Sequence, residues 1–183
     1  MNNPLIVEVT RGSNIESVHL VDVALVDGTG NLIEGWGESS RPTLPRSSLK
    51  PIQATPLITE GVADSEGLGA EQLAVACSSH SGEAAHVQVV DRWLERLGFS
   101  HNVLECGAHV PSNADAAREL VLSGVEPDSR HNNCSGKHTG FVSLSKHFDL
   151  DVSGYISPDC LLYTSDAADD TPCVDLGGRR IIK

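Results

Sequence analysis

Positive charge is scarce in this chain. Its 183 residues hold 13 Lys and Arg against 25 Asp and Glu, a formal net charge of −12. A nucleic-acid surface needs clustered basic side chains to neutralise phosphates, so the balance argues against that class of partner and equally against anionic membranes. Long apolar runs are missing as well, and none approaches the roughly 20 residues of a spanning helix. The opening MNNPLIVEVTRG lacks the basic and apolar regions of a secretory signal, which makes a cytoplasmic location the expectation. Internal repeats and low-complexity linkers are absent. Cysteine is sparse. Five in such a chain point to free thiols or metal ligands rather than a disulfide framework.

What remains is 39% hydrophobic and 21% charged, the balance of one soluble globular domain. Seven of the eight histidines lie between His80 and His147, which points to a polar or proton-handling region there. The last 24 residues, CLLYTSDAADDTPCVDLGGRRIIK, change character and closely resemble the conceptual translation of a sequencing adapter. The natural sequence is therefore expected to end near Asp159. That reading removes Cys160 and Cys173 from any chemistry and leaves Cys77, Cys106 and Cys134.

In HLVDVALVDGTGNLIEGWG, Val21, Val23 and Leu25 alternate with polar or small residues, Asp27 to Gly30 reads as a turn, and Leu32-Ile33 begins a return strand. LIVEVTRG adds a candidate edge strand. SSLKPIQATPLITEG has helical spacing in Leu49, Ile52 and Leu57, with Pro51 confined to the first turn. GAEQLAVACSS reads as a second helix. SGEAAHVQVVDRWLERLG is the clearest one, with Val87, Val90, Trp93, Leu94 and Leu97 on one stripe, Ser81 as N-cap and Gly98 as stop. NADAARELVLSG should bury Ala114, Ala117, Leu120 and Val121, and CSGKHTGFVSLSKHF continues through Phe141, Leu144 and Phe148. A hairpin followed by helices places the chain in the α+β class, with later strands completing a sheet.

Three stretches could carry chemistry. Ser47 and Lys50, at i and i+3, share a helix face; a neutral lysine there could take the hydroxyl proton as the oxygen attacks a carbonyl. Adjacent Arg46 could assist, and a serine cap beside a solvated lysine fits the same spacing. ACSSHSGE gathers Cys77, Ser78, Ser79, His80 and Ser81 at a helix junction, as a reactive loop or a cap-rich turn. NNCSGKHTG puts Cys134, Lys137 and His138 on one helical face, as a zinc half-site or a buried thiol beside solvated neighbours.

In this order the stretches resemble the serine-type, zinc-containing L-asparaginase II family. The family's R-S-x-x-K-P-x-Q-A matches Arg46 to Ala54, C-x-S-H-S matches Cys77 to Ser81, C-G-x-H matches Cys106 to His109, and N-C-S-G-K-H matches Asn133 to His138. The resemblance runs over residues 5 to 159. It implies a layered α/β/α fold like that of penicillin-binding proteins and serine β-lactamases, with residues 1–159 as the N-terminal part of one domain. It further implies hydrolysis of L-asparagine to L-aspartate and ammonia, and a homodimer when full length. Ser47 and Lys50 would form one of two Ser-Lys pairs, and Ser79 would supply the serine of the other. Cys134 and Lys137 would be zinc ligands, with Arg46, His80 and His138 close to the site. The lysine partnering Ser79 and zinc's third ligand, a cysteine, would belong to a C-terminal part that this chain lacks, so the chain as written should be inactive. Competing readings are a penicillin-recognising acyl-serine hydrolase and a non-catalytic zinc-binding module.

Overall fold

The computed structural model describes residues 2–157, so the adapter-like tail lies outside the described residues. The chain divides between Thr43 and Leu44 into two compact units. The class is α+β: antiparallel hairpins and a set of helices.

The first unit holds two hairpins rather than the single hairpin with an edge strand that the sequence led us to expect. β1 (Leu5–Arg11) pairs with β2 (Asn14–Val21), and β3 (Val23–Val26) pairs with β4 (Leu32–Trp36). Val21 therefore ends one ladder and Val23 begins another, with Asp22 as the break. Asp22 is spent on local contacts, because its carboxylate accepts the Glu38 N–H at 2.8 Å. The turn of the second hairpin falls where the sequence places it. The Asp27 carboxylate gathers the N–H groups of Thr29 (2.8 Å) and Asn31 (2.9 Å), as an Asx turn does. Among the described residues no further strand joins either hairpin, and Leu20 and Ile33 stay exposed.

The second unit is helical: α1 (Lys50–Thr59), α2 (Val62–Glu66), α3 (Ala70–Cys77), α4 (Ala84–Leu97), α5 (Ala114–Ser123) and α6 (Ser135–His147). Its core is built from Leu57, Val75, Val90, Trp93, Leu94 and Phe141, joined by Tyr155. Val90, Trp93, Leu94 and Leu97 of the α4 stripe are buried, Val87 is half-buried with Val89 buried beside it, and Gly98 ends the helix at φ +83°, a conformation that suits glycine. Ser81 is not its cap. Gly82 turns left-handed at φ +76° in between, and Glu83 becomes the N-cap residue. Asn113 caps α5 by accepting the Ala116 N–H at 2.9 Å. The expected apolar face of α5 is not covered, however, since the helix has no buried residue and Val121 is 80% exposed.

α6 is the central element, with every residue from Ser135 to Ser145 buried. Such burial on all sides demands close neighbours. At Gly136 a Cβ would stand 2.3 Å from the Val75 carbonyl oxygen of α3, so only glycine allows the two backbones to meet. Phe148 lies just beyond the helix and is half-exposed. Glu66 ties α2 to this packing by accepting from Ser143 Oγ at 2.9 Å and from Trp93 Nε1 at 3.4 Å.

Candidate active site

Three helix ends converge on one amine. Lys50 begins α1, Ser78 follows the last residue of α3, and Cys134 precedes the first residue of α6. Lys50 is fully buried. Its Nζ reaches Ser79 Oγ at 2.8 Å, the Ser78 carbonyl oxygen at 3.1 Å and Cys134 Sγ at 3.2 Å. An ammonium has three protons to donate, so these contacts use its whole capacity. A neutral amine could donate to the carbonyl and the sulfur while accepting the Ser79 proton, with the heavy atoms unmoved. The arrangement is thus compatible with either protonation state, as an amine that shuttles a proton requires.

This pairing differs from the one read from spacing. Arg46 to Leu49 form a 3₁₀ turn ahead of α1, not its first helical turn, and both Arg46 and Ser47 are exposed. Arg46 adopts φ +54°, unusual for a residue with a side chain. Within this turn the link between Ser47 and Lys50 is a backbone one: the Lys50 N–H donates to the Ser47 carbonyl. The amine's three contacts go instead to the ACSSHSGE and NNCSGKH stretches, so two of the sequence's three candidate regions meet at the lysine of the first.

Cys134 is buried, and its thiol donates to Asn133 Oδ1 at 3.2 Å. Asn132, which sequence reasoning passed over, fixes this turn. Its side-chain oxygen accepts the Cys134 N–H at 2.8 Å, and its amide donates to the Cys106 carbonyl at 2.7 Å. Cys106 thereby enters as a backbone acceptor for the site's scaffold. Lys137, one turn on from Cys134, is buried with its amine 5.8 Å from the Phe141 ring centre. The described donors do not by themselves make a zinc centre. One thiol and one amine fall short of three or four ligands, and among the described residues no three His, Cys, Asp or Glu side chains cluster.

Two histidines line the scaffold in neutral form. His80 Nδ1 accepts the Gly82 N–H at 3.2 Å, so its proton sits on Nε2, which faces Ser135 Oγ at 2.8 Å. Burial, with the positive fields of His86, Lys50 and His131 adding to it, pushes His80 down to about 4. His138 is held well below its ordinary value, first by burial and then by Lys137 and Lys50. Its Nδ1 lies 2.8 Å from the Tyr155 hydroxyl, which also accepts the Glu105 N–H at 2.8 Å.

Both histidines bind a proton more weakly in the folded chain than at the ordinary value of 6.5. As pH falls from 6.5 towards 4, the unfolded chain takes up protons that the folded chain refuses, so stability falls through that window. Thermal unfolding at pH 7 and pH 5 should show a lower midpoint at pH 5, and His80→Asn should flatten that dependence. An unchanged midpoint would contradict the buried neutral assignment.

A model of the family described as L-asparaginase II matches residues 7–164. No curated protein matches the chain. Among the described residues no helix is long and apolar enough to cross a membrane.

Proposed function

This chain belongs to the L-asparaginase II family, asparaginase-type amidohydrolases acting on small molecules, and from that starting point we propose that it carries the acyl-transfer machinery for converting L-asparagine to L-aspartate and ammonia. The observation that carries the proposal is the 2.8 Å contact between the buried Lys50 Nζ and Oγ of Ser79, which is itself exposed and so open to a substrate. Neutral Lys50 takes the Ser79 proton as Oγ attacks the side-chain amide carbon, giving a tetrahedral oxyanion. The intermediate collapses, the C–N bond breaks, and ammonia leaves with the proton returned by Lys50. Water then attacks the ester carbon, Lys50 again accepts the proton, and Ser79 is regenerated with aspartate as product. The overall balance is one amide and one water to one carboxylate and one ammonium.

Ser47 and Arg46, exposed on the turn ahead of α1, are assigned to substrate contact at the site's mouth. His80 and His138 support the scaffold in neutral form. Cys134 and Lys137 are proposed as two zinc donors, with no catalytic step assigned to the metal. A cytoplasmic homodimer is the proposed working form.

Ammonia release by a full-length protein carrying this sequence tests the reading. Ser79→Ala should lower turnover of L-asparagine by about 10³-fold or more, in line with losing a nucleophile. Ser47→Ala should act mainly on KM. Full activity in Ser79→Ala would overturn the mechanism. Equal zinc content in Cys134→Ala and the unaltered protein would remove that residue from the metal proposal.

A further inference from the structure

The loop that carries Ser79 runs from Ser78 to Glu83 without regular structure, yet a serine nucleophile must be held to a fraction of an ångström against its base. His80 makes two bonds to the start of α6, one just ahead of the helix and one in its first turn. Its N–H donates to the Asn133 carbonyl at 3.2 Å, and its Nε2 meets Ser135 Oγ at 2.8 Å. Ser135 Oγ in turn donates to the Arg130 carbonyl at 2.9 Å. Arg130 is itself anchored, with ion pairs to Asp128 at 2.6 Å and to Asp91 of α4 at 2.8 Å. The same α6 turn presents Cys134 to Lys50, and Lys50 completes the circuit to Ser79.

We propose that His80 is a positioning residue for the Ser79–Lys50 pair, its imidazole bridging the Ser79 loop to Ser135 and so setting the distance between hydroxyl and amine. The inference rests on the reading of Ser79 and Lys50 as the reacting pair. His80 does not touch substrate; it closes a ring of contacts that runs Ser79, Lys50, Cys134, Ser135, His80. Burial of His80 at 5% exposure and of Ser135 at 0% keeps water from competing for their bond. The ring of His86 stacks on His80 at 5.1 Å and limits its rotation. Gly82 adds a further constraint. Its N–H fixes the His80 tautomer, and its own left-handed backbone sits where a Cβ would press on the His131 carbonyl at 3.0 Å.

The test measures two things in the full-length protein: L-asparagine turnover, and the rate at which an alkyl fluorophosphonate labels Ser79, read by peptide mapping. His80→Ala should lower kcat and the labelling rate together by about 10–100-fold, the usual size for a group that orients a reacting residue, with KM within about twofold. His80→Gln can still present an amide N–H to Ser135 and should recover most of the loss. Ser135→Ala removes the bond from its other end, and the double variant should be no slower than the worse single one. A merely structural histidine would lower thermal stability while leaving kcat and labelling per folded molecule intact, which would overturn the proposal. Failure of Gln to restore either rate would do the same. Ser79 labelling that falls in His80→Ala, in a protein that releases no ammonia from asparagine, would uphold the positioning role and reject the substrate. No labelling of Ser79 in the unaltered protein would reject both.

Discussion

Replacing Lys50 by methionine is expected to reduce asparagine turnover by about 10²–10⁴-fold, the range that a positioned proton acceptor contributes. Methionine fills a similar volume in this fully buried place but has no basic nitrogen to take the Ser79 proton. The substitution also strips the donor from the Ser78 carbonyl and from Cys134 Sγ, which lose partners at 3.1 and 3.2 Å. A buried acceptor left without its donor costs about 1–3 kcal/mol, so the variant should unfold at lower temperature as well. The two effects separate in the kinetics. A stability loss scales with the folded fraction, whereas loss of the proton acceptor persists per folded molecule at low temperature. Turnover per folded molecule that remained within about threefold of the unaltered protein would show that Lys50 is not the base.

Gly136→Ala should be the most destabilising single methyl in the second unit. An exposed helical glycine replaced by alanine normally gains up to about 1 kcal/mol. Here the new Cβ would meet the Val75 carbonyl oxygen at 2.3 Å and its carbon at 2.5 Å. Both are backbone atoms of α3, so no flexible side chain can swing aside. Relief requires α6 and α3 to separate, which loosens the core around Val75, Ala76 and Phe141. A loss of about 3 kcal/mol or more is expected from overpacking of this kind. It should be read by denaturant unfolding as a lower midpoint at an unchanged slope. Separation of the two helices also moves the Ser78–Ser79 end of α3 from the Cys134 end of α6, so activity should fall with stability. A neutral or stabilising outcome would contradict the close approach.

Much of the helical unit could be read from the chain because its signals are local. Most of the α4 stripe and the glycine at 98 act within a turn or two of themselves. The face of α1 could not be read that way. Apolar spacing points to Leu49, Ile52 and Leu57, yet Ile52 is 66% exposed while Lys50 and Gln53 are buried. Periodicity assigns hydrophobic residues to the interior, and a site that needs a buried amine inverts that assignment on its own helix. Spacing also gave no hint of where the Lys50 amine makes its hydrogen bonds. The turn before α1 is 3₁₀, and the lysine's partners come from residues 28 to 84 positions away. Sequence distance carries no information about such contacts. Glycine at 136 is the local trace of the α3–α6 approach, since a glycine kept inside a helical segment at a cost in propensity fits a packing role.

The α5 face shows the opposite error. Ala117, Leu120 and Val121 have the periodicity of a buried stripe, and the helix nevertheless has no buried residue. Amphipathicity records that a face can be covered, not what covers it.

The most direct measurement is to quench the full-length protein during turnover of L-asparagine and map the acyl group by peptide mass. The Lys50–Ser79 geometry predicts an aspartyl ester on Ser79, absent in Ser79→Ala and in Lys50→Met. An ester on Ser47, or steady ammonia release with no acylated serine at all, would contradict it.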